Sequence, residues 1–195
     1  MSDGQISRFP VPEVEGLPED IRAQIIEVQE STGFVPNVFL VLAHRPEEFR
    51  SFFAYYDALM TREGGSLTKA DREMIVVATS AANNCLYCVV AHGALLRIFT
   101  KDPLLADQVA TNYSRADISP RQRAMLDFAI LMAIDSGEVG EIDFDELRVH
   151  GFDDDDIWDI GAITALFALS NRMANLTAMK PNDEFYLLGR VPREA

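Results

Sequence analysis

The sequence predicts an all-α protein, and three of its features carry that prediction. Apolar residues recur at i, i+3, i+4 and i+7 in one segment after another, which is the period of a helix face. Serine, threonine, aspartate or proline stands where several of these segments begin, and glycine where several end. No segment alternates apolar and polar residues as a half-buried strand does.

In chain order, residues 1–17 carry Pro10 and Pro12 and read as an extended N-terminal arm, of a kind that can lie on a neighbouring subunit. Residues 18–195 read as a single all-α domain, since 195 residues suit one core. The first helix spans about 20–31, with Ile21, Ile25, Ile26 and Val28 at near-helical spacing and Gly33 as its stop. A short apolar helix follows Pro36 over 37–43. Pro46 suits the first turn of the next, which places Phe49, Phe52, Phe53, Tyr56 and Leu59 in one stripe. That stripe suits core or subunit packing, although the organic tail of a ligand would need such a surface.

Gly64 and Gly65 break the chain, and Thr68 with Asp71 forms a capping box that opens a largely buried helix. Within it Glu73 stands among Met74, Ile75, Val77 and Ala78. A carboxylate there needs a partner: the Arg72 guanidinium, one from another subunit, or His92. Asn83 and Asn84 are candidate caps for the next helix, whose apolar run after Cys88 marks it as buried. A short amphipathic helix over 103–112 comes next. Ser119, Pro120 and Gln122 open another, with Met125, Phe128, Ala129, Met132 and Ala133 on its core face and Gly137 at its close. A short helix over 144–150 stops at Gly151. Asp153 to Asp156 then cap the last long helix, over about 157–179, rather than bind a metal. That helix is apolar nearly all round, which suits burial in the domain centre or in a subunit interface. Asn171 and Asn175 within it read as satisfied polar contacts, and His44 and His150 as helix-end residues.

A net charge of −14 excludes nucleic acid or an anionic membrane as the main partner, because both demand clustered Lys and Arg. There is neither a secretory leader pattern at the N-terminus nor an apolar run of membrane-spanning length, so the cytoplasm is the expected compartment. In that compartment two cysteines point to redox or catalytic work rather than a structural staple.

Both cysteines lie in 68–99, in the order Glu73, eleven residues, Cys85, two residues, Cys88, three residues, His92. If a helix begins near Asn84, the C-x-x-C sits at its N-terminal turn, where unpaired N–H groups stabilise a thiolate. Cys85, Cys88 and His92 then share one face, with the imidazole one turn from Cys88 and able to take its proton. Glu73 can orient or re-protonate that imidazole if the two helices pack antiparallel. Plain burial of two small hydrophobes is the competing use of such cysteines. A zinc site would need four ligands, and the chain has no second cysteine pair. A c-type haem site would need histidine where Val89 stands. Neither a metal nor a cofactor is expected.

This order, with the lead-in LTKADREMIVVATSAANNC and the continuation YCVVAHGALLR, resembles the core of alkylhydroperoxidase D (AhpD), in the carboxymuconolactone decarboxylase-like superfamily. The flanking GFVPNVFLVLAHRPEEFRSFFAYYDALM and FALSNRMANLTAM are similar to its peroxidase-related branch. The resemblance implies an AhpD-like multi-helix bundle and a dithiol peroxidase acting on hydroperoxides. It implies Cys88 as the attacking thiol, Cys85 as a more exposed resolving partner, and His92 and Glu73 as a proton relay. It also implies regeneration by a thioredoxin- or lipoyl-type electron donor, and a homo-oligomer. Tyr87 departs from the best-studied AhpD pattern, which has a second histidine there. Its hydroxyl can donate a hydrogen bond, and its ring can equally serve packing. The alternatives are a non-enzymatic redox-sensing or scaffold oligomer, and a carboxymuconolactone decarboxylase-like enzyme, whose branch does not use a C-x-x-C pair.

Overall fold

A computed structural model describes residues 4–190. Residues 1–3 of the arm and 191–195 of the domain lie outside the described residues. The architecture is all-α: α1 (Glu19–Thr32), α2 (Asn37–Leu42), α3 (Pro46–Met60), α4 (Lys69–Ala82), α5 (Leu86–Thr100), α6 (Leu105–Asn112), α7 (Pro120–Ile134), α8 (Glu141–Val149), α9 (Asp154–Thr177) and α10 (Glu184–Leu187), with no strand among the described residues.

The bundle is built around α4. Its side chains from Asp71 to Ser80 are all buried, because α5, α6, α7 and α9 pack around it. Thr68 starts it as expected: its hydroxyl accepts from Asp71 N–H, and Asp71 accepts from Thr68 N–H at 3.0 Å. Ser119 and Gln122 do the same for α7, and Asp153 and Asp156 for α9. Gln122 also donates to Asp71 at 3.0 Å, which ties the first turns of α4 and α7 together.

Several expectations need correction. Asn83 ends α4 and Asn84 takes a left-handed conformation (φ 53°), a state asparagine tolerates, so neither caps the following helix. Cys85 does, as the residue just before α5. The arm is extended only in part. Val14–Gly16 forms a 3-10 turn, Arg8 N–H donates to Thr177 O at 2.7 Å, and Ile6 O accepts from Lys180 N–H. The arm therefore packs on the C-terminal end of α9 in its own chain. A short helix absent from the sequence reading, α10, is docked by Arg97. That guanidinium donates to Phe185 O at 2.7 Å and Leu188 O at 2.9 Å. Finally, α9 buries Ile160, Ile163, Phe167 and Asn171 but leaves Trp158, Leu169 and Leu176 exposed.

Candidate active site

The turn between α4 and α5 brings the predicted residues together. Glu73 lies ten residues before Asn83, and His92 eight after Asn84. At about 1.5 Å per residue, an antiparallel hairpin sets the two nearly level. His92 Nδ1 and Glu73 Oε2 are 2.7 Å apart, both side chains largely buried. Arg72, the competing partner, turns the other way: it donates to Leu59 O and forms a buried ion pair with Asp159 at 3.8 Å.

The two thiols are free and not equivalent. As the cap of α5, Cys85 Sγ accepts from Cys88 N–H at 3.4 Å. The Cys85 thiol is held down to about 7, first by the hydrogen bond it receives from the Cys88 thiol and then, against the opposing effect of burial, by that backbone N–H and by Asn171. Cys88 is pushed well above the ordinary thiol range, first because its proton serves that same bond and then by burial. Cys88 Sγ also lies 3.7 Å from Ser170 Oγ. The pair thus holds one proton between two sulfurs, and it sits on Cys88. The resting charge therefore lies on Cys85, and one expectation is corrected: Cys85 is no more exposed than Cys88, each being 1% exposed.

What distinguishes Cys88 is access. It lines, as Cys85 does not, a cavity of about 220 Å³ shared with His92, Tyr56, Phe53, Phe167 and Phe185. The α3 stripe divides accordingly. Phe49 is fully buried in the core, while Phe52, Phe53 and Tyr56 face the cavity. His92 meets Phe167 edge-on at 4.7 Å between ring centroids. Tyr87 also borders the cavity, but its hydroxyl accepts from Val38 N–H at 3.1 Å and so anchors α2 to α5.

Asn171 is fully buried, donates to Ser80 Oγ at 2.9 Å and accepts from Asn83 at 3.1 Å, and it lies beside both thiols. Its sequence signal was its polarity within an apolar helix. Asn175 lies apart, donating to Asn83 O. His44 and His150 stand at the ends of α2 and α8, away from this cavity. Among the described residues, no three His, Cys, Asp or Glu side chains converge as a metal site, and no helix is long and apolar enough to cross a membrane.

The carboxymuconolactone decarboxylase family is matched over residues 46–103, the span of α3 to α5. A peroxidase-related protein from Ralstonia eutropha JMP134, described as an alkylhydroperoxidase AhpD core, is 70% identical with a TM-score of 0.95, over 97% of this chain and 99% of that one. A peroxidase-related protein from Silicibacter sp. TM1040 is 41% identical with a TM-score of 0.92, over 97% and 100%. The debrominase Bmp8, at 16% identity and a TM-score of 0.72 over 96% and 97%, shares the fold alone. No curated protein matches the chain at significant similarity. Near-complete coverage at such identity places this chain in the AhpD-like, peroxidase-related branch of the carboxymuconolactone decarboxylase family.

Proposed function

We propose that this protein is a dithiol peroxidase that reduces hydroperoxides, ROOH, to alcohols through Cys85 and Cys88. The observation that carries the reading is Cys88 on the wall of an apolar cavity, beside an imidazole paired with Glu73 at 2.7 Å. The peroxidase-related kinship of its relatives supports it.

The Glu73 carboxylate favours the proton on His92 Nδ1, which leaves Nε2 to take the Cys88 proton. The Cys88 sulfur attacks the terminal peroxide oxygen as its proton passes to His92, so that an S–O bond forms as O–O breaks. The alkoxide leaves and takes the proton from His92 to become ROH. Cys85, already the thiolate of the pair, attacks the Cys88 sulfenic sulfur and expels hydroxide, which is protonated to water. The disulfide is then returned to two thiols by an external dithiol of lipoyl or thioredoxin type, which is itself oxidised. The residues expected to act are Cys85, Cys88, His92 and Glu73. The Tyr87 oxygen accepts from Val38 N–H, which anchors its ring between α2 and α5.

The test is stoichiometric. One equivalent of cumene hydroperoxide or hydrogen peroxide should remove two thiols and two mass units from the reduced protein, and Cys88→Ser should abolish the disulfide. Thiols that stay reduced for hours would sink the reading. Burial of both sulfurs favours a second reading, a redox-sensing helical oligomer. In that case slow oxidation would change assembly state without peroxide turnover.

A further inference from the structure

The cavity in front of Cys88 is walled mostly by apolar and aromatic side chains, so its few polar side chains can be taken one by one. Thr32 Oγ1 is spent on Val28 O at 2.8 Å and Phe34 O at 2.6 Å. The Tyr87 oxygen accepts from Val38 N–H, Ser170 Oγ faces the Cys88 sulfur, and His92 Nδ1 is held by Glu73, with Nε2 left for the Cys88 proton. The Tyr56 hydroxyl is different: among the described residues it has no hydrogen-bond partner. No buried side-chain oxygen in the described structure is left unpaired, so this oxygen keeps accessible surface, and the cavity is the open space that Tyr56 borders.

Its ring is fixed by neighbours. It lies 6.5 Å from the His92 ring and 6.3 Å from that of Phe167, and it borders the same cavity as Cys88. Burial, and then the charge of Glu73, push the hydroxyl above the ordinary phenol range. It therefore keeps its proton and is available as a donor at working pH.

We propose that Tyr56 donates a hydrogen bond to the alkyl-side oxygen of the bound hydroperoxide, orienting the terminal oxygen to Cys88 and stabilising the alkoxide as it leaves. This assignment rests on the peroxidase reading and adds a substrate-contacting residue outside the E-x11-C-x2-C-x3-H motif. An unpaired donor aimed at an oxygen that gains charge contributes mainly in the transition state. The apolar walls leave it few competing partners.

Tyr56→Phe removes the hydroxyl and keeps the ring. Oxidation of the reduced protein by cumene hydroperoxide should slow by roughly 10- to 100-fold, the range of one hydrogen bond to a charged oxygen. Alkylation by iodoacetamide, which releases no alkoxide, should stay within twofold and report intact thiols and fold. The product alcohol, 2-phenyl-2-propanol, should bind the variant more weakly than the wild type in a calorimetric titration. Peroxide oxidation within twofold of wild type, or equal alcohol affinity, would overturn the assignment. A wild type inert to peroxide that nevertheless loses alcohol affinity with Tyr56→Phe would sink the peroxidase reading while keeping Tyr56 as the cavity's oxygen-binding donor.

Discussion

Cys85 and Cys88 are the same side chain three residues apart, yet one is a thiolate near neutrality and the other stays protonated into alkaline pH. Capping makes the difference: Cys85 receives a thiol proton and a backbone N–H at the positive end of α5, while Cys88 supplies both. The consequence for stability has a definite sign. Below pH 7, folded and unfolded chains both hold two thiol protons. Between about 7 and the ordinary thiol value of 9, the folded pair holds one where the unfolded chain holds two, so rising pH favours the fold. Above 9 the unfolded chain releases both while Cys88 keeps its proton, and the slope reverses. The urea midpoint of the reduced protein, measured against the Cys85→Ser, Cys88→Ser double variant, should rise from pH 6 to 8.5 and fall again by 10.5. Absorbance at 240 nm should gain one thiolate near pH 7. A midpoint difference flat with pH would show that neither thiol is shifted by folding.

At the scale of elements, α4 holds Glu73 level with His92, and its start is fixed by Thr68. Thr68→Ala should cost about 1 kcal/mol of unfolding free energy in denaturant titration, and Thr68→Ser should recover most of it. Equal stability of all three would mean that Asp71 and Gln122 hold the turn unaided. Signals of this kind were legible because they are local: a cap and its third residue are read from four positions. The meeting of Glu73 and His92 was legible only as one of three pairings, with Arg72 and a guanidinium of another subunit as the others, until antiparallel packing of α4 and α5 decided it. The cavity was not legible. Its walls come from Val38 and Phe39 on α2, Phe52 and Tyr56 on α3, Phe167 on α9 and Phe185 on α10, and no spacing in sequence joins them. The four residues of α10 are too short to show a period, and Arg97, which docks it, lies about 90 positions away. The placement of charge on Cys85 turned on a one-residue shift in where α5 begins, finer than sequence patterns resolve.

For the whole molecule, the open question is what covers the outer face of α9. Trp158, Ala162, Ala165, Leu169 and Leu176 fall on one stripe about 27 Å long at the helical rise, and Trp158, Leu169 and Leu176 are 74%, 54% and 53% exposed. The α3 stripe from Phe49 to Tyr56 is turned to the core and the cavity, while Tyr55 on the same helix is 48% exposed. An exposed, mostly apolar stripe of this length, broken by Arg172, is the mark of an interface, and a second copy of the chain is the partner we propose for it. A net charge of −14 opposes that association, so screening by salt should strengthen it. Light scattering at micromolar concentration should give a mass above the 21.7 kDa of one chain, rising as salt goes from low to physiological. Leu169→Arg combined with Trp158→Glu should return it to one chain while leaving thiol oxidation by peroxide within a few-fold, since neither side chain borders the Cys88 cavity. A wild type that scatters as a single chain at every salt concentration would remove the homo-oligomer from the reading and leave the α9 stripe to some other partner.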